Sequence, residues 1–297
     1  MTAAAVDAGS EAALRRLELL VTRKLDGLLQ GDHQGIVPGG GAEAGEGRLY
    51  QPGDDVRRID WSLTARSTVT SVRDTVADRE LETWLVVDGS ASLDFGTAAC
   101  SKRELAQAAA AAFGFLTCRT GNRLGAVVYG PEGTTVLPPR SGRESVPQLL
   151  RRLGRRPPAP EGATSLGAAL RQVRLVARRR GFVVLVSDLL DEDDWPGQLR
   201  ALAARHEVVV VQVGDPREAE LPPVGYLTVV DPETGERHEV QTANRRLRER
   251  FAAAAAEQRS TAARAVRAAG AGHLELSTDR DWLLDVVRFT ATRRRRR

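Results

Sequence analysis

The chain's 297 residues carry 43 Lys and Arg against 39 Asp and Glu, a formal excess of +4. Setting aside the five arginines 293–297 leaves 38 against 39, so the basic excess is confined to a short tail and nucleic acid is not the expected partner of the body. An aromatic content of 4% argues against a stacking platform for single-stranded nucleic acid, while 42% hydrophobic and 28% charged residues describe an ordinary globular chain with ample core.

Residues 11–30 place apolar side chains at helical spacing with a polar opposite face, which predicts an amphipathic helix, and a Gly-rich loop follows. The next stretch is dense in both charge signs. It predicts a turn at Pro52–Gly53, a short helix over 55–66 and a strand over 68–76; its charges form either an internal ion-pair network with Trp61 packed beneath it, the favoured reading, or a charged docking face.

From residue 83 the pattern is regular. Strands are predicted at 83–88, 123–130, 182–188, 207–214 and 273–277, with a hairpin mate at 134–139. Helices are predicted at 101–121 (stopped by Gly121), 144–153, 165–181 (stopped by Gly181), 195–205, 243–269 and 281–290. A second hairpin turns at Pro232–Gly235. Strands apolar on both faces, alternating with helices, predict a doubly wound α/β fold: a mostly parallel sheet with helices on both faces.

The expected organisation is an N-terminal helix and charged segment over 1–82, packed on an α/β domain over 83–290. A hairpin insertion lies near 224–242, and 291–297 form a disordered arginine tail. Cys100 and Cys118 match no metal spacing and no disulfide framework. The first residues lack the basic and apolar regions of a signal peptide, and no apolar run is long enough to span a membrane. The expected setting is therefore cytoplasmic, without membrane insertion.

In open sheets of this kind ligands bind at the carboxyl ends of strands. One strand ends in Asp88-Gly89-Ser90-Ala91-Ser92, another in Ser187-Asp188, and Gly162-Ala163-Thr164-Ser165 precedes the helix leading into the second. Folding the sheet brings Asp88, Ser90, Ser92, Thr164 and Asp188 to one edge. These are hard oxygen donors without sulfur or imidazole, suited to Mg2+, Mn2+ or Ca2+ rather than Zn2+. Neutral hydroxyl ligands leave such an ion electron-poor and ready to accept an outside carboxylate.

The arrangement resembles the metal-ion-dependent adhesion site of von Willebrand factor A domains, whose pattern is Asp-x-Ser-x-Ser, a Thr in a Gly-x-Thr loop and an Asp closing a later strand. The upstream residues Arg48, Tyr50, Gly53, Asp54, Asp55, Arg57, Asp60, Trp61, Arg66, Arg73 and Glu80 resemble the signature of a bacterial von Willebrand A-like family, domain of unknown function number fifty-eight. Here Glu43-Ala44 stands where that family often has Glu-Phe, and Leu93 where Met is usual. The resemblance implies a non-enzymatic, metal-dependent module that binds an acidic residue of a protein partner. It also implies a MoxR-type AAA+ ATPase as partner, in the assembly or activation of protein complexes.

Catalytic alternatives are thin. His33, His206, His238 and His273 fall away from the serines in this topology, Ser90 lacks the Gly-x-Ser-x-Gly elbow, and no Gly-Lys dipeptide forms a phosphate loop. A metal-assisted phosphohydrolase using the same oxygens is one alternative, and nucleic-acid binding through the arginine tail is another. The acidic run 191–194, beside Asp188, either adds negative potential near the metal residues or starts helix 195–205; the helix start is the favoured reading, and Asp191 is the residue to test.

Overall fold

The computed structural model describes residues 47–51, 56, 59–67, 69–73, 82–119, 122–142, 145–154, 164–191, 193–232 and 234–294. The expected helix 11–30, the Gly-rich loop, the Pro52–Gly53 turn and Gly121 lie outside them.

A small antiparallel pair, β1 (Gly47–Leu49) and β2 (Ser71–Arg73), flanks helix α1 (Trp61–Ser67). Of the short helix expected over 55–66, α1 covers the part from Trp61 onward, Val56 lies in a 3-10 turn, and residues 55, 57 and 58 lie outside the described residues. Ile59 bridges to Val72 in extended conformation, and Asp60 Oδ1 caps the helix by accepting from the N–H groups of Ser62 and Leu63 at 3.0 and 3.1 Å. Of the strand expected over 68–76, β2 covers Ser71–Arg73, Val69 and Thr70 precede it, and residues 68 and 74–76 lie outside the described residues.

The main sheet contains β3 (Glu82–Asp88), β4 (Arg123–Gly130), β5 (Gly133–Arg140), β6 (Phe182–Ser187), β7 (Glu207–Gly214) and β10 (Gly272–Ser277) in the order β10-β7-β6-β3-β4-β5. Every pairing is parallel except β4–β5. Numbering these six strands along the chain gives the doubly wound order 3-2-1-4-5-6, whose direction reverses between β3 and β6.

Alternate side chains of the central strands serve opposite layers. Leu85, Val87, Val184 and Val186 pack with α2 (Lys102–Arg119), α3 (Ser145–Gly154) and α7 (Trp282–Arg294). Trp84, Val86, Val183 and Leu185 pack with α4 (Leu166–Val176), α5 (Trp195–Ala203) and α6 (Arg245–Ala268). The two-sided burial explains the unbroken apolar strand sequences. The second hairpin is β8 (Tyr226–Val230) with β9 (Arg237–Gln241), closed by a Gly235 at φ 73°.

Two expectations are corrected. Helix α4 stops at Val176, well before Gly181, so that glycine is no helix stop. A Cβ on Gly181 would lie 2.1 Å from the carbonyl oxygen of Glu82, so its role is to let the chain pass β3 on entering β6. Helix α7 continues to Arg294 rather than ending at 290. Arg293 donates to Glu207 Oε1 at 2.6 Å and lies 5.8 and 6.0 Å from the ring centroids of Phe182 and Phe289. The start of the supposed tail is therefore part of the fold.

Candidate functional site

The reversal of strand order between β3 and β6 opens a crevice at their carboxyl ends, and Asp88 and Asp188 stand on its two sides. Beyond β3 the chain turns sharply against β4. Gly89 N donates to the Tyr129 carbonyl at 2.7 Å, and a Cβ at Gly89 would meet that oxygen at 2.9 Å. The turn places Ser90 and Ser92, the latter in a short 3-10 helix (Ala91–Asp94), beside Asp188.

Asp88 is buried and fully engaged. Its Oδ1 accepts from Ser90 N at 2.8 Å, and its Oδ2 accepts from the hydroxyls of Tyr129 and Ser187, each at 2.8 Å. Burial, and then the negative charge of Asp188, push its carboxyl up to about 7. Across the crevice, Ser90 Oγ and Ser92 Oγ are 2.9 Å apart, and Ser92 Oγ donates to Asp188 Oδ2 at 2.8 Å. Lys102 Nζ donates to the same oxygen at 2.8 Å and also to Glu218, at the end of the short 3-10 helix Pro216–Glu218. Leu190 N donates to Asp188 Oδ1 at 3.2 Å. Between them Leu189 adopts φ 60°, a left-handed conformation that an L-leucine holds only at a cost of roughly 1–3 kcal/mol.

Four of the five expected metal residues, Asp88, Ser90, Ser92 and Asp188, thus share one hydrogen-bonded set. Thr164 joins a neighbouring one. Its hydroxyl donates to Asp191 Oδ1 at 3.4 Å, which also accepts from Leu166 N at 3.2 Å. Asp193 Oδ2 accepts from Ser165 Oγ at 2.6 Å and Gly167 N at 2.7 Å, so these acids cap α4, while Asp194 caps α5. The run 191–194 therefore serves two helix starts and not only the one expected. Burial, and the charges of Asp193 and Asp188, raise Asp191 to about 6 against the donation from Leu166 N.

The oxygens of Ser90, Ser92 and Asp188 are hard donors whose hydrogen-bonded spacings are also of the size a small divalent cation needs, although Lys102 already sits on Asp188 Oδ2 and Thr164 on Asp191. In a Mg2+ octahedron with ligands at about 2.1 Å, adjacent oxygens lie about 3.0 Å apart. The Ser90–Ser92 and Ser92–Asp188 spacings of 2.9 and 2.8 Å are edges of that size. Among the described residues no group of three or more His, Cys, Asp or Glu could hold a metal, so any such ion rests on hydroxyls.

The sequence reasoning missed Tyr129, Ser187, Lys102 and Glu218. One signal was available: Lys102 is one of only two lysines in an arginine-rich chain. A compact ammonium fits a closed space that a guanidinium fork does not.

Of the signature residues, Tyr50 N donates to the Thr70 carbonyl at 2.8 Å, Arg48 pairs with Val72 and Arg73 with Gly47 through their backbones, and Asp60 caps α1. Arg66 is exposed in the last turn of α1. Trp61 is 70% exposed and so is not packed beneath an ion-pair network. Gly53, Asp54, Asp55, Arg57 and Glu80 lie outside the described residues.

The chain is similar to solved structures with low identity: BatB from Bacteroides thetaiotaomicron (15% identity, TM-score 0.47, covering 72% of this chain and 99% of that one) and the SpRpn10 VWA domain (12%, 0.40, 70% and 93%). It is 54% identical over 285 residues to the uncharacterized protein Rv1480 of Mycobacterium tuberculosis, covering 96% of this chain and 90% of that one. It is 46% identical over 162 residues to the uncharacterized protein MAV169 of Mycobacterium avium, covering 54% and 95%. The family model described as "Protein of unknown function DUF58" matches residues 46–261, and the chain belongs to that family.

Proposed function

We propose that this chain is a protein-interaction module in which Ser90, Ser92 and Thr164, with Asp88 and Asp188, hold a divalent cation that receives an acidic side chain of a partner. Mg2+ is the first choice, with Mn2+ and Ca2+ as substitutes, and a MoxR-type AAA+ ATPase is the expected partner. The action is binding rather than turnover, and serves assembly or activation of protein complexes in the cytoplasm.

The observation that carries this reading is the oxygen series Ser90–Ser92–Asp188 at octahedral-edge spacing, set where the strand order reverses. The cation would supply an electrophilic position for an incoming carboxylate. This chain's residues do the rest. Tyr129 and Ser187 hold Asp88 in place, Lys102 holds Asp188, and Arg103, which donates to the Ser90 carbonyl at 2.7 Å and to Asp94 at 2.5 Å, fixes the serine turn.

Calorimetric titration with Mg2+ and Mn2+ tests the metal, comparing the parent with the Ser90→Ala, Ser92→Ala double variant. Binding by the parent that the double variant loses is the expected result; equal or absent binding in both sinks the metal reading. A pull-down with a MoxR-type ATPase, with and without a chelator, tests the partner separately.

A further inference from the structure

On α4 and α5, two of the three helices of their layer, charge is not balanced. Residues 166–182 and 195–206 contain seven arginines and no aspartate or glutamate. Arg171, Arg174 and arginines 178–180 belong to α4 and the turn after it, Arg200 and Arg205 to α5 and its end, and all seven are exposed. The two helices pack side by side. Their polar contacts go to neutral acceptors: Arg174 donates to Gln198 Oε1 at 3.2 Å and Arg205 to the Arg178 carbonyl. Among the described residues none of the seven has a carboxylate partner. Between them Leu175 is 69% exposed. The field reaches inward as well: burial, with the charges of Arg205 and Arg180, holds the buried His206 below its ordinary value.

Helix C-termini attract one or two cations, and Arg205 meets that need. Seven arginines spread over two adjacent helices exceed it. Of the Trp, Tyr and Arg that anchor protein–protein hot spots, the face offers arginine alone. It offers no aromatic for base stacking, and its arginines lie on helix surfaces already packed against the sheet rather than on an element free to enter a groove. An acid-free, arginine-rich face with one projecting leucine fits a plane of phosphates above an apolar layer, the arginine stems lying along it with their heads on phosphate.

We propose that the α4–α5 arginine face docks this protein on an anionic phospholipid surface, with Leu175 entering the headgroup region. Helix α4, about 16 Å long, then separates the arginines of its C-terminal turn from Thr164 at its N-terminal end, and the serine edge stays open to a partner.

Cosedimentation of the full chain with phosphatidylcholine vesicles, with and without phosphatidylglycerol, tests the proposal. The expected result is salt-sensitive binding to the anionic vesicles only. Binding should fall roughly 100-fold in R178Q/R179Q/R180Q, at the usual contribution of a surface arginine, and a few-fold in Leu175→Gln. Arg171→Gln with Arg174→Gln is a second, independent reduction should the triple variant melt early. Arg151→Gln with Arg152→Gln, on exposed positions of α3 in the opposite layer, should leave binding unchanged. Equal binding to neutral vesicles, full binding by both α4 variants, or no binding by the parent overturns the proposal. So does tighter binding of duplex DNA or polyglutamate than of anionic vesicles, lost in the same variants. Mg2+ titration of the triple variant should match the parent, which separates this face from the serine site.

Discussion

Lys102 Nζ lies 2.8 Å from Asp188 Oδ2, with 0% and 3% of the two side chains exposed. Burial by itself would discharge such a lysine, yet the charges of Asp188 and Glu218 outweigh it and raise Lys102 above its ordinary value. Removing one member of a buried pair strands the other. Lys102→Met should therefore lower unfolding stability by about 3–5 kcal/mol. Lys102→Arg should also destabilise, because the guanidinium needs more room than this closed space gives. Urea titration measures both, and a loss below about 1 kcal/mol for Lys102→Met would mean that Asp188 does not depend on this partner.

Asp215 caps the turn after β7 and ties three segments together. Its carboxylate accepts from Thr97 N and Oγ1 at 2.8 and 2.6 Å, from Thr278 Oγ1 at 2.6 Å and from Arg217 N at 2.9 Å. Burial pushes this carboxyl up, but the hydrogen bonds from Thr278, Thr97 and Arg217 outweigh it and hold it below its ordinary 3.8. A depressed folded value means the stabilisation is complete above the unfolded value and lost as pH falls through the folded one. The parent should therefore lose stability below about pH 4 through this group. Asp215→Asn should lack that acid limb and be less stable at pH 7 by about 1.5–3 kcal/mol. Thermal or urea melts from pH 7 to pH 2.5 compare the two, and parallel profiles would remove Asp215 from the account.

Gly181 shows where the sequence was legible and where it was not. The apolar periods of β4, β7 and α5 are set by burial that each segment carries in its own pattern, so their limits could be read within a residue or two. The end of α4 could not. Arginines 178–180 are sound helix formers, but the chain must leave the helix early to enter β6 against Glu82. The site divides similarly. Asp88, Ser90, Ser92 and Asp188 sit at strand ends, where local pattern and topology converge. Tyr129, Ser187, Lys102 and Glu218 act through contacts 41 to 116 residues away in sequence, which no local period encodes.

The close approach at Gly181 makes its own prediction. An alanine there would put Cβ 2.1 Å from a backbone oxygen that cannot swing aside. Gly181→Ala should cost about 1–3 kcal/mol or more through displacement of the β3–β6 edge. Gly133→Ala offers the contrast, since its Cβ would meet nothing within 4 Å and only its φ of 95° opposes the change. Denaturant midpoints rank the two, and an unchanged midpoint for Gly181→Ala would contradict the contact with Glu82.

Arg293 decides whether the terminal arginines are all solvent-facing charge. It pairs with Glu207 at 2.6 Å, with the two side chains 22% and 21% exposed, and its guanidinium lies over Phe182 and Phe289. A half-sheltered ion pair and two cation–π contacts together are worth about 1–2 kcal/mol. Arg293→Ala should lose that amount, whereas Arg293→Lys keeps the charge but not the planar stacking and should fall between. Hydrogen exchange gives the spatial readout: the last turn of α7 should lose protection in Arg293→Ala, with β6 and β7 little changed. If protection persists and the midpoint does not move, the arginine is a solvated charge after all, and the helix end is held by Phe289 and Val286 packing alone.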